Sequence, residues 1–104
     1  MEETLEVITC LVAAHYGATS RGLRGPSRTG GIVRARHVAM YLAQRLVPLT
    51  KREIGMYFGG RSYSTVCSSC RTIEGFLEVY PAFKVELDAL SDRILAALAN
   101  RRRP

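Results

Sequence analysis

The sequence predicts an all-α fold, a helix bundle containing a helix-turn-helix. Three observations carry that expectation. Apolar residues recur at the helical spacing through most of the chain, and strand-like alternation is found nowhere. Pro26, Pro48 and Pro81 fall outside the periodic stretches, where a missing N–H does least harm. With 104 residues, 47% of them hydrophobic, the chain has material for one modest core, and residues 1–104 read as a single domain.

Leu5 to Tyr16 reads as a first helix, with Leu5, Ile8, Val12 and Tyr16 near one stripe and Gly17 as a stop. Residues 17–31 follow as a mobile basic loop. Gly17, Gly22, Gly25, Pro26, Gly30 and Gly31 punctuate it, Arg21, Arg24 and Arg28 lie between, and Ala18 to Leu23 has room for one helical turn. Loops this long in compact domains are more often functional than not.

The helical period returns from Ile32 to Val47. Ala35, Val38, Ala39, Leu42, Ala43 and Leu46 fall in one arc; Arg34, His37, Tyr41, Gln44 and Arg45 fall in another. Pro48 ends this helix. Thr50 and Glu53 then make a capping box for a short helix reaching Phe58, with Ile54 and Tyr57 or Phe58 inward. Gly59 and Gly60 supply the turn. From Ser62 to Tyr80 the core stripe is Val66, Cys70, Ile73, Leu77 and Tyr80, and the other side carries Ser64, Thr65, Ser68, Ser69 and Thr72. After Pro81, a last helix from Phe83 to Asn100 lines up Phe83, Leu87, Leu90, Ile94 and Leu98.

Charge narrows the function. The formal net charge is +6, and no Asp or Glu stands between Val7 and Arg52, a stretch holding Arg21, Arg24, Arg28, Arg34, Arg36, Arg45, Lys51 and Arg52. Carboxylates return at Glu53 and cluster in Glu74, Glu78, Glu86, Asp88 and Asp92. So one-sided a field favours a polyanion, nucleic acid before anionic lipid.

Other classes fit poorly. No apolar run is long enough to cross a bilayer, and Glu2, Glu3 and Glu6 make an acidic opening unlike a signal peptide, so a cytoplasmic, nucleoid-associated protein is expected. Cys10, Cys67 and Cys70 are an odd set that suits a reducing compartment. Cys67 and Cys70 have a C-x-x-C spacing, but only Cys10, His15 and His37 remain to complete a zinc site, and nothing pairs them; no metal and no cofactor are expected. No carboxylate or serine stands beside either histidine in a catalytic arrangement, so no enzyme is expected. His15 reads as a helix-end residue, and Arg101-Arg102-Arg103 as either a phosphate grip or a frayed tail.

The pair of helices over about residues 50–80, joined by a glycine turn, has the helix-turn-helix pattern. In that motif the second helix enters the major groove, and its first residues, here Ser62, Tyr63, Ser64 and Thr65, meet base edges or phosphates. The same pattern suits an ordinary hairpin of helices with a polar face.

Particular residues go further. The run Arg34-Ala35-Arg36-His37-Val38-Ala39-Met40-Tyr41-Leu42-Ala43, then Glu53-Ile54-Gly55, then Phe58-Gly59-Gly60-Arg61-Ser62-Tyr63-Ser64-Thr65-Val66, resembles the C-terminal DNA-binding domain of the bacterial replication initiator DnaA, a Trp-repressor-like helix-turn-helix fold. The resemblance extends over nearly the whole chain, from about Leu5 to Leu98. It implies that Arg28 reaches into the minor groove, and that Arg36 and His37 grip the backbone, the second being usually glutamine in the family. It implies a base and a phosphate contact for Ser64 and Thr65, which match paired threonines, and a phosphate contact for Ser68. Arg34, Lys51, Arg52 and Arg61 complete the expected DNA-binding set.

There are departures. Ser62 and Tyr63 stand where the family has aspartate and histidine, which weakens or changes a cytosine readout. Lys51 and Arg52 replace apolar residues that touch a thymine methyl. The family's ATPase module has no counterpart: Gly17 to Gly22 is the nearest thing to a phosphate-binding loop, but Leu23 and Arg24 follow where lysine and a hydroxyl residue are required, so no nucleotide is expected. The chain is thus expected to be a stand-alone relative or a fragment. Its expected function is sequence-preferring binding of double-stranded DNA, in replication initiation, its regulation, or transcription. The alternative is a module of the same fold that docks on replication proteins through its acidic C-terminal helix without reading DNA.

Overall fold

The computed structural model describes residues 2–101. Among them there are six helices and no strand: α1 (Glu2–His15), α2 (Ser20–Arg24), α3 (Gly30–Leu46), α4 (Lys51–Tyr57), α5 (Tyr63–Val79) and α6 (Pro81–Arg101). None is long and apolar enough to cross a membrane.

Local chemistry sets most of the boundaries. Gly17 adopts φ 69° after α1, and Gly59 and Gly60 adopt 78° and 76° between α4 and α5, a region that costs any residue with a Cβ. Thr50 accepts from the Glu53 amide while the Glu53 carboxylate accepts from the Thr50 amide, so the capping box closes reciprocally. Ser62 caps α5 by accepting from the Thr65 amide. Thr19 caps α2 by accepting from the Gly22 amide.

One core lies at the centre, with α3 its axis. Val38, Ala39, Met40 and Ala43 of α3 are sealed from solvent together with Ile8 and Val12 of α1, Leu23 of α2, Ile54 of α4 and Phe58 just after it, Val66 and Ile73 of α5, and Ile94 of α6. Outside the core, polar clasps join the ends of the chain. Glu86 accepts from the Tyr16 hydroxyl at 2.7 Å and contacts His15 Nε2 at 3.2 Å, tying α6 to α1. Arg101 bonds the Glu3 side chain at 3.1 Å; Arg102 and Arg103, the rest of the expected basic tail, lie outside the described residues.

Two expectations need correction. Tyr41, placed on the polar arc of α3, is buried at 7% exposure, in the core cluster. Tyr80, placed on the α5 core stripe, is 56% exposed, because the helix ends at Val79 and Tyr80 leaves it in an extended conformation. Arg36, for which the resemblance implies a grip on the DNA backbone, is 5% exposed.

Candidate nucleic-acid interface

The segment from Leu23 to Ser27 wraps around the Arg36 guanidinium. Arg36 Nε donates to the Leu23 carbonyl at 2.7 Å, and Nη2 donates to those of Gly25 at 3.0 Å and Ser27 at 2.9 Å. No carboxylate pairs with Arg36 among the described residues, so carbonyl dipoles alone offset the burial of its charge. Burial, and then the nearby Arg61 charge, hold its pKa below the usual arginine value.

Two further arginines fasten the same segment to the helix-turn-helix. Arg61 donates from Nη1 to the Phe58 carbonyl and from Nη2 to the Gly25 carbonyl, the latter at 2.8 Å. Arg24 lies over the Tyr57 ring, 4.0 Å from its centroid, and donates from Nε to the Tyr57 carbonyl at 2.9 Å. Gly59 permits this approach: a Cβ there would sit 2.6 Å from the Arg24 carbonyl oxygen.

These contacts enclose a hollow lined by Arg24, Gly25, Pro26, Arg28, Arg36, Gly59, Arg61 and Thr65. Four guanidiniums and no carboxylate line it, which makes it strongly attractive to an anion. Arg28 is exposed on its rim. A second hollow is formed by His37, Ser64, Thr65, Ser68, Ser69 and Thr72, again without a carboxylate. Its hydroxyls donate and accept, so it can bind phosphate oxygens or base edges. Thr65 belongs to both hollows. Burial first, then Arg36 and Arg61, push the His37 imidazole below its ordinary 6.5.

The structure therefore brings Arg28, Arg36, His37, Arg61, Ser64, Thr65 and Ser68 together. Ser62 and Tyr63 stand at the start of α5 beside them. Ser62 Oγ is engaged with Thr65, accepting from its amide at 3.2 Å and lying 3.1 Å from its hydroxyl, whereas Tyr63 is 54% exposed. Arg34 stands apart from both hollows: its guanidinium covers the Phe76 ring, one turn along α5 from Thr72. Lys51 and Arg52, on the first turn of α4, line neither hollow.

Sequence reasoning missed Arg24 and Gly25 as parts of the site, and Gly55 as its support. A Cβ on Gly55 would lie 2.2 Å from the Arg61 carbonyl oxygen, and the Gly55 carbonyl accepts from the Arg61 amide at 2.8 Å. The glycine in the middle of a short helix was the available signal. Cys67 and Cys70 stay free thiols, Cys70 buried beneath α5 and Cys67 half-buried, and burial pushes the Cys70 thiol up.

Residues 5–73 match the family described as "Bacterial dnaA protein helix-turn-helix". The chain is 36% identical over 91 residues to the "Chromosomal replication initiator protein DnaA" of Treponema pallidum (strain Nichols), a match spanning 88% of the chain and 20% of that relative. It is 38% identical over 85 residues to the protein of the same name from Mycoplasma capricolum, spanning 82% of the chain and 19% of the relative. For the Brucella abortus protein the identity is 40% over 86 residues, 83% of the chain and 17% of the relative. The chain thus spans about a fifth of the length of the curated relatives it matches.

Proposed function

The chain belongs to the bacterial DnaA helix-turn-helix family, and from that premise we propose that it is one domain binding double-stranded DNA, with the start of α5 in the major groove and the loop after α2 at the adjacent minor groove. The observation supporting this most directly is the continuity of the two hollows through Thr65. A guanidinium-lined basin and a hydroxyl-lined trough meet there, and neither contains a carboxylate. An αα-hairpin with a merely solvated polar face gains nothing from excluding acids.

In this reading Arg28 enters the minor groove, where a guanidinium senses groove width and the A·T acceptor pattern. Ser64, Thr65, Ser68 and His37 contact phosphates or base edges, and Tyr63 reaches a thymine methyl or a phosphate. The α5 N-terminus adds its partial positive charge. Arg52 and Lys51 supply longer-range attraction. Binding is sequence-preferring, and the process served is replication initiation, its regulation, or transcription.

An anisotropy titration of the chain on duplex DNA at about 50 and about 200 mM salt tests this reading. Binding is expected at low salt, weakening with a log–log slope of about −0.9 per phosphate neutralised. Absence of binding at the lower salt overturns it and leaves docking on replication proteins as the better account.

A further inference from the structure

We infer that Arg36 is a positioning residue, which presents Arg28 to the minor groove by organising the loop backbone, instead of gripping phosphate itself. The inference rests on the DNA-binding reading above and extends it. One planar guanidinium gathers the carbonyls of residues 23, 25 and 27, so the chain curls around it at alternate residues. The last of these, the Ser27 carbonyl, belongs to the peptide unit whose nitrogen is that of Arg28. A peptide unit is planar, so fixing its oxygen fixes the plane from which the Arg28 backbone departs.

The same segment is registered against the helix-turn-helix. The Gly25 carbonyl accepts from Arg36 and also from Arg61, one residue before the Ser62 cap of α5. Arg28 itself makes no hydrogen bond or ion pair among the described residues, and its long side chain is exposed. Its aim therefore depends on the backbone that carries it, and an ordered loop meets the groove without first losing conformational freedom. At 5% exposure Arg36 forms part of the floor beneath that loop, with Nε and Nη2 already committed to three acceptors. Lysine cannot replace this arrangement: it carries the same charge, but as a compact point without a fork.

The test compares wild type, Arg36→Lys, Arg28→Ala and the double variant on paired duplexes that differ by an A·T-to-G·C change at the position read by the loop. Arg36→Lys is expected to lose roughly tenfold in discrimination, as Arg28→Ala does, and the double variant to lose no more than Arg28→Ala alone. The salt slope of Arg36→Lys should equal that of wild type. Unimpaired discrimination, additive losses in the double variant, or an Arg36→Ala slope shallower by about 0.9 with discrimination intact overturns the inference.

A second measurement needs no DNA. Trypsin cleavage after Arg24 and Arg28 in the folded protein should accelerate in Arg36→Lys while its melting temperature stays above the assay temperature; an unchanged cleavage rate is the contrary result. If Arg36→Lys does not fold, Arg61→Lys removes one of the two donors to Gly25 and should move both readouts in the same direction; no movement in either overturns the inference. Failure of wild type to bind any duplex sinks the DNA reading alone, because the cleavage comparison still judges the clamp.

Discussion

Arg36 and Arg61 share one acceptor: the Gly25 carbonyl takes a hydrogen bond from each, at 3.0 and 2.8 Å. Two cations are thereby held close, at the junction of the basic loop and the helix-turn-helix turn. Their mutual repulsion is tolerated because carbonyl oxygens fill the space between them. The result is a fixed region of positive potential beside the start of α5, built before any ligand arrives.

Arg28→Ala is expected to reduce preference for A·T-containing sites by about 1–3 kcal/mol, the scale of one base-specific contact, with a smaller loss on random duplex. Competition binding between matched duplexes measures it. Unchanged preference together with unchanged affinity removes Arg28 from the minor groove. Thr65→Ala, by contrast, should weaken all sequences alike, by about 1 kcal/mol, as loss of one phosphate hydrogen bond does.

Gly55→Ala is a test of packing against propensity. In a helix interior alanine is favoured over glycine by about 1 kcal/mol, so helix propensity alone calls for stabilisation. The added Cβ would meet the Arg61 carbonyl oxygen at 2.2 Å, however, and backbone must move to admit it. Net destabilisation of about 1–3 kcal/mol is expected from urea unfolding. A more stable variant refutes the close contact between α4 and the turn.

His37 couples binding to pH. Its folded pKa lies below the ordinary 6.5, because of burial and then Arg36 and Arg61, so the imidazole is neutral at pH 7. A phosphate beside it favours the protonated form, and affinity should rise, by up to about tenfold, as pH falls from about 7.5 to about 6. Fold stability moves the other way: below the ordinary value the unfolded chain binds the proton more readily, so acidification through that range destabilises the free protein. His37→Gln should flatten both profiles, measured by anisotropy and urea unfolding at constant ionic strength. A flat wild-type binding profile places no phosphate at His37.

Tyr57 donates to Glu6 Oε2 at 2.6 Å, joining α4 to α1, and this bond is the first cause that holds the Glu6 carboxyl below its ordinary 4.5, ahead of the bond from Cys10. The contribution is present above that ordinary value and disappears as pH falls through the lowered one. Tyr57→Phe is therefore expected to cost about 0.5–1 kcal/mol at pH 7, discounted because Glu6 is exposed, and less at about pH 3. Urea midpoints at the two pH values decide; an equal cost at both means that the carboxylate is not the relevant acceptor.

The residues themselves determined the fold class and most element boundaries, because the causes are local. Periodicity at i, i+3 and i+4 marks helices, the Thr50–Glu53 box and the Ser62 cap mark starts, and Gly17, Gly59, Gly60 and Pro48 mark interruptions. The resemblance carried by Phe58-Gly59-Gly60-Arg61 likewise needed no coordinates. Tertiary structure alone decided what meets each face. Tyr41 lies at a helical angle that a sequence assigns to solvent, but the core encloses it; Arg36, about 20° round α3 from Ala43, is enclosed by carbonyls from residues 23–27. Gly55 reads as a weak helix residue until the Arg61 backbone is seen against it. Spacing along a helix gives only an angle about its axis; whether that angle is wet, apolar or lined with acceptors depends on distant segments folding onto it.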